Sequence, residues 1–302
     1  MKRITPILLL LLLSACASAN AEPAADVPSL NTPAAPILTA TSTPTATLSP
    51  TPGPRTEGTR AVVIQENVPP PTPTAITLPR ALPDAHTQIF QPGPASFVTS
   101  PFRIIGRSGP TWNNRVVIDL VGEDGRLVSR TSTYLNALPG YIGPFAAEVE
   151  FEIESVSEQA RLEVYTHSRR DGQVYRMASV EIFLLSTGRS LIHAAIDGPE
   201  RLAIFSPRTD AVVSGGSVQV NGAGWVDSDL PLIIEVCDRM GDTIASTTTF
   251  MDSPGTGQTG VFSAEVSYAV EVSQPGRILV YEQSTDVPGF IHISGVDVWL
   301  KP

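Results

Sequence analysis

The last two thirds of this 302-residue chain state one pattern twice, and that repeat limits the fold more than any other feature. Ile89-Phe90-Gln91-Pro92 returns as Ile204-Phe205-Ser206-Pro207, and Phe145-Ala146-Ala147-Glu148-Val149 as Phe262-Ser263-Ala264-Glu265-Val266. Arg161-Leu162-Glu163-Val164-Tyr165 returns as Arg277-Ile278-Leu279-Val280-Tyr281, and Val180 to Leu184 as Val296 to Leu300. The spacing stays between 115 and 117 residues, with the shifts falling in turns. A period that long exceeds any solenoid unit, so it marks a whole domain in tandem. Positions that repeat report the scaffold; positions that differ show where the copies diverge.

Each copy reads as all-β. Phe102–Gly106, Val116–Leu120, Ala147–Phe151, Leu162–Tyr165 and Val180–Leu184 are strand-length runs rich in β-branched and aromatic residues, separated by turn residues. Val116, Ile118 and Leu120 alternate with Val117 and Asp119, as Leu232, Ile234 and Val236 do with Ile233 and Glu235. The turns Glu123-Asp124-Gly125 and Arg239-Met240-Gly241 fall at equivalent places. About seven strands per copy, at this spacing, predict an all-β sandwich for each. The connector from Ser186 to Leu202 has room for one helical turn near Leu191 to Ala195.

Taken together, Ile-Phe-x-Pro, Ser100-Pro101-Phe102 leading to Gly106, Gly143-Pro144-Phe145 before an acidic-apolar strand, Leu162 to Tyr165, Asp171-Gly172 and a closing Val-x-Ile-x-Leu form a wider pattern. It resembles Gmad2, the immunoglobulin-like domain of bacterial spore-germination proteins, over both copies. The second copy departs from it where Gly216-Ser217 replaces Ser100-Pro101. The resemblance implies two tandem immunoglobulin-like β-sandwiches, over 88–186 and 203–301, in an extracytoplasmic, lipoprotein-associated setting. It carries no catalytic residues.

The first residues point the same way. Lys2-Arg3 followed by Ile7 to Leu13 is a charged segment and a short apolar run, too short for a stable span and suited to export. It ends in Leu13-Ser14-Ala15-Cys16, which resembles the bacterial lipobox and would make residues 1–15 a signal peptide and Cys16 the lipidated residue. The alternative is an ordinary secretory signal cut after Ala15 or Ala17. Each buried methylene adds about 0.8 kcal/mol, so two or three acyl chains anchor a protein stably to a membrane. With Cys16 acylated, Cys237 is the one thiol left, and the domains must rely on their cores rather than disulfides.

Residues 16–87 read as a disordered stalk. No Phe, Tyr or Trp occurs between Ala17 and Thr87, while fourteen of the 28 prolines do. Such a stretch lacks the apolar area that would offset backbone ordering. Ala61-Val62-Val63-Ile64 is its one apolar knot, a chance cluster or a docking strand.

The composition excludes several chemistries. A net charge of −10, with eighteen arginines scattered rather than clustered, opposes nucleic acid. His86, His167, His193 and His292 lie far apart without ligand spacing and read as loop or solvent residues, and no cofactor is expected. Gly255 to Gly260 lacks the Lys-Ser/Thr ending of a phosphate loop. Asp227 and Asp229 offer two carboxylates to calcium, a weak candidate without further ligands. Four aromatics remain as binding candidates: Trp112, Trp225, Phe183 and Trp299. They either plug sandwich ends and domain contacts or form a recognition surface. The expectation is a non-enzymatic surface lipoprotein held to the membrane through Cys16, with an envelope protein or polysaccharide as partner. The alternative is a carbohydrate-binding module using those aromatics.

Overall fold

The computed structural model describes residues 78 and 80–302, and the signal segment, Cys16 and nearly all of the stalk lie outside them. Sixteen strands and no helix make up the described chain. Among the described residues no helix is long and apolar enough to cross a membrane.

The first sandwich runs β1 (Thr87–Gln91), β2 (Phe97–Thr99), β3 (Phe102–Ser108), β4 (Arg115–Gly122), β5 (Leu127–Tyr134), β6 (Gly143–Val149), β7 (Ser157–His167) and β8 (Val174–Leu185). The second runs β9 (Leu202–Ser206), β10 (Ala211–Val213), β11 (Ser217–Gly224), β12 (Leu232–Cys237), β13 (Thr243–Thr249), β14 (Gly260–Ser267), β15 (Gln274–Gln283) and β16 (Phe290–Leu300). In each, one sheet has three antiparallel strands, β1-β3-β6 and β9-β11-β14. The opposing sheet has the order β8-β7-β4-β5 or β16-β15-β12-β13, with a short parallel strand, β2 or β10, added beside β8 or β16. This is the immunoglobulin-like arrangement, with eight strands per sandwich where the sequence suggests about seven. Among the strands outside the five runs named from the sequence are β5 and its counterpart β13, whose Ser- and Thr-rich segments lack the apolar alternation that marks a strand.

Period-2 side chains fill each core. Ile118, Leu120, Leu162, Val164, Ile182 and Leu184 pack against Ile104, Phe145 and Val149 in the first sandwich. Ile234, Val236, Ile278, Val280, Val298 and Leu300 pack against Val220, Phe262 and Val266 in the second. A fully buried residue of this kind contributes about 1.5–3 kcal/mol, so each core can support its sandwich without a disulfide. Gly106 and Gly222 are required inside their strands. A methyl group on either would run into the ring of Phe145 or Phe262 across the sheet, and into a backbone carbonyl from the strand on the other side.

The two larger sheets join. β16 pairs with β8 at His292↔Ala178 and Ile293↔Met177, a two-residue seam that makes them one sheet ordered β13-β12-β15-β16-β8-β7-β4-β5. The joined sheet folds at the seam. The β15–β16 turn reaches the far side of the first sandwich, where a methyl group on Gly125 would sit 3.3 Å from Pro288. A third apolar cluster forms between the outer faces, from Val117, Tyr165 and Met177 on one side and Cys237, Leu279, Tyr281 and Ile293 on the other. The alternation of β4 therefore separates two buried faces, and Val117 and Asp119 are buried as well as Ile118 on the opposite face.

Two expectations require correction at the edges. The connector holds no helical turn. It runs extended beside β1 and β2, with reciprocal bonds between Leu191 and Phe97 and an Ala195 N–H donating to Phe90 O at 2.8 Å. A helical turn would leave those edge groups without partners. The folded body also begins before Gln88: Asp84 bridges Pro199, the Glu200 N–H donates to Pro83 O at 2.8 Å, and Ala85 and Thr87 are buried.

Candidate binding groove and buried charge clusters

The outer face of the first sandwich remains open at one end. Antiparallel register places Tyr165, Val117 and Ser132 in one cross-strand row of β7, β4 and β5, and sets Arg115 opposite Tyr134 one row further. The loop Gly109–Asn114 stands over that row with the Trp112 ring 54 % exposed. Together they form an open groove of about 860 Å³, floored by Val117 and Tyr165 and closed at its end by Trp112 and Asn113. Its lining includes Arg115, Arg130 and His167 and no carboxylate residue.

The charges beneath the groove are committed to one another. Arg130 donates through Nε and Nη2 to the two Asp119 oxygens, both at 2.7 Å, and Tyr165 Oη donates to Asp119 Oδ2 at 3.0 Å. Burial, then the neighbouring Asp119 charge, pushes the Tyr165 phenol up to about 12, so it stays a neutral donor. Arg115 differs: its Nη2 donates to Ser132 Oγ at 2.9 Å, and among the described residues no carboxylate lies within ion-pair distance of it. His167 donates from Nδ1 to Gly172 O at 2.8 Å and meets the Tyr165 ring edge-on at 5.2 Å.

A second cluster sits where the chain enters the second sandwich. Glu200 is buried; its Oε2 accepts the His86 N–H at 2.9 Å and its Oε1 lies 2.8 Å from His292 Nε2. Burial opposes its charge, yet the His292 ring and the His86 N–H hold the carboxyl below the usual range. Burial and the nearby Arg176 charge lower His86. The sequence reading of the histidines as loop or solvent residues is corrected for His292, which is enclosed on β16, while His86 stands half-buried in the bend before β1. No local motif signals this cluster, because its members stand at 86, 200 and 292 and meet only through the fold.

Trp225 is part of a third cluster. The Arg201 guanidinium lies 4.1 Å above its ring and bonds both Glu282 oxygens and Asp227 Oδ2, the last at 2.7 Å. Arg201 thus covers one face of Trp225, and the half-buried ring lines a pocket with Glu200 and Ile291, separate from the groove. Phe183 is half-buried and stacks on Phe97 at 4.9 Å across the β2–β8 pair. Trp299 is 43 % exposed on β16, beside Arg170 and Asp210, and is not among the residues that line the groove. The four aromatics do not converge, and Trp112 is the one on the groove. The calcium reading of Asp227 and Asp229 is likewise corrected. Asp227 faces the Arg201 cation, Asp229 meets Thr256, and among the described residues no three His, Cys, Asp or Glu side chains are grouped to hold a metal. Cys237 is buried in the central cluster, and burial pushes its thiol up.

The clusters and the groove offer shape, stacking and charge for binding. Asp119, Glu200 and Glu282 each face a cationic or imidazole partner.

No curated protein matches the chain. Among solved structures, that of red sea bream transglutaminase aligns with a TM-score of 0.25 and 9 % identity, over 72 % of this chain and 32 % of that one. The chain thus spans about a third of the length of that enzyme. Residues 86–173, from the docked segment before β1 to the β7–β8 turn, match the family model described as the immunoglobulin-like domain of bacterial spore germination, Gmad2.

Proposed function

We propose that this chain is a non-enzymatic, lipid-anchored module of the bacterial envelope, in which two immunoglobulin-like sandwiches packed as one body serve binding or a structural role. The observation that carries the reading is the pairing of an immunoglobulin-like module over 86–173 with an open aromatic groove whose underlying charges are tied into structural pairs. A Gmad2-type second copy at 203–301 is supported by strand order: β9 to β16 repeat the pairing of β1 to β8. The lipobox-like Leu13-Ser14-Ala15-Cys16 supports anchoring through Cys16. Fold alone does not fix function, so the assignment rests on the site and the export signal.

The test is to express the full chain in a bacterium fed a labelled fatty acid. Incorporation that disappears in Cys16→Ala, with the protein accessible to protease added to spheroplasts, is the expected result. Unlabelled protein that stays in the cytoplasm would refute it. The second reading, carbohydrate binding, is favoured by one observation: Trp112 stands open at the end of a groove lined by hydrogen-bonding side chains.

A further inference from the structure

Because the sandwiches are copies, the groove can be compared with its own duplicate. The scaffold positions repeat. Asp119 and Tyr165 return as Glu235 and Tyr281, with Tyr281 Oη donating to Glu235 Oε2 at 2.9 Å. Val117 returns as Ile233, and Ser132 returns as Thr248. The arginine and histidine positions of the groove do not repeat. Register places Pro231 where Arg115 stands, Ser246 where Arg130 stands and Gln283 where His167 stands. The hairpin chemistry under the groove was kept in both copies, and its charge is present in one.

That charge has a definite sign. The protein carries −10 overall, yet this groove is lined by two arginines and a histidine and by no carboxylate residue. Arg130 is neutralised by Asp119, while Arg115 has one neutral partner, Ser132. The loop at the groove's end, Gly109–Asn114, and the neighbouring loop Leu135–Ile142 contain no charged residue. They are tied together by the Leu135 N–H on Asn114 O at 2.7 Å and by Asn114 Nδ2 on Ala137 O. Such a site offers a flat aromatic face, several hydroxyl and amide groups, and one available cation. A sugar ring has the complement: an apolar face of C–H groups and a rim of hydroxyls. The volume lies within the range of small-ligand sites, about 300–1,000 Å³.

Resting on the reading of an envelope binding module, we infer that this groove binds an acidic polysaccharide, with a sugar ring on Trp112 and its anionic group, carboxylate or phosphodiester, on Arg115. The second sandwich, lacking the three groove charges, does not share the site.

The experiment is affinity electrophoresis of the full chain in detergent, through gels containing polygalacturonate, poly(glycerol phosphate) or neutral dextran. Retardation by one or both acidic polymers and not by dextran is expected, and the polymer that retards identifies carboxylate or phosphodiester as the anion. Trp112→Ala should weaken retention about tenfold, and Arg115→Gln about fivefold, as expected of one exposed ionic contact. Arg115→Gln should also remove most of the salt dependence, since exposed charge contacts are screened. Trp299→Ala, on another edge, should retain full binding. Retention by neither acidic polymer overturns the inference, as does equal retention by dextran, or retention unchanged in both groove variants. Attachment of the chain to phosphatidylcholine vesicles lost in Trp112→Ala, without polymer retention, overturns it in favour of a lipid surface. Any of these failures leaves the labelled-lipid result, and so the envelope reading, standing on its own.

Discussion

Arg161 on β7 and Arg277 on β15 hold the same place in the two sandwiches, and both are buried where the opposing sheets meet. Each has a carboxylate on its own sheet, Glu163 or Asp297, and each reaches across to the other sandwich. Arg161 Nη2 donates to Pro288 O at 2.8 Å and its Nη1 to Val287 O, while Arg277 Nη2 lies 3.1 Å from Asp171 Oδ2. Removing one partner of a buried charged contact costs about 3–5 kcal/mol. The two losses should be unequal. Asp171 and Asp297 keep Arg170, 3.3 Å from each, whereas the Val287 and Pro288 carbonyls lose their donor. Arg161→Ala should therefore lower the urea midpoint more than Arg277→Ala. Negligible shifts in both variants would show that the arginines do not bridge the sandwiches, and equal losses would overturn the compensation by Arg170.

Gly106 and Gly222 make a matched test of the cores. Substituting alanine at either forces Phe145 or Phe262 from its position and presses on the carbonyl of Gln88 or Ala203. Overpacking of this kind costs about 1–3 kcal/mol. Gly198→Ala, with open space around it, should stay within about 0.5 kcal/mol of the parent. Guanidinium melts of the three variants decide the matter, and a Gly222→Ala protein as stable as Gly198→Ala would contradict the packing.

The difference between what was legible and what was not has a physical basis. Gly106, Phe145, Arg161 and Tyr165 return 116 or 117 residues later because each sandwich needs them, so the strand runs of the all-β fold could be read directly. β5 was harder to read because an edge strand of Ser and Thr carries little apolar alternation. The burial of Val117 and Asp119 depends on a second sheet lying over β4, which no local pattern records. The Glu200 cluster and the roof of Arg201 over Trp225 join residues from distant strands, so their spacing in the chain holds no signal. Trp112 could be named as a candidate, but its separation from Trp225, Phe183 and Trp299 required coordinates.

Acid should loosen the junction before the cores. His86 has its pKa lowered by burial, so below about 6.5 the unfolded chain binds a proton that the folded chain resists, and stability falls. Glu200 is held low despite burial. Its contribution is full above the unfolded value of about 4.3 and is lost as pH drops through the folded value. Both signs erode stability on the acid side. Hydrogen exchange should show the His86 and Glu200 amides opening between pH 6 and pH 3 while Leu162 and Val280 remain protected. Glu200→Gln should flatten the limb below about pH 4.3 and leave the limb due to His86. An unchanged acid limb in that variant would remove Glu200 from the account.

Trp225 is expected to act on stability and not on ligand. Its ring supports the Arg201 guanidinium at 4.1 Å, and that guanidinium holds the buried Glu282 and fixes Asp227. A partly desolvated cation–π contact is worth about 1–2 kcal/mol. For a body of this size each kcal/mol moves Tm by about 2–4 °C. Trp225→Ala should therefore melt several degrees lower while its retardation by acidic polymer matches the parent, the reverse of Trp112→Ala. Trp225→Phe keeps an aromatic face under Arg201 and should recover part of the loss. If Trp225→Ala instead abolished retention at unchanged Tm, the binding surface would have to move from the groove on β4, β5 and β7 to the junction beneath Arg201.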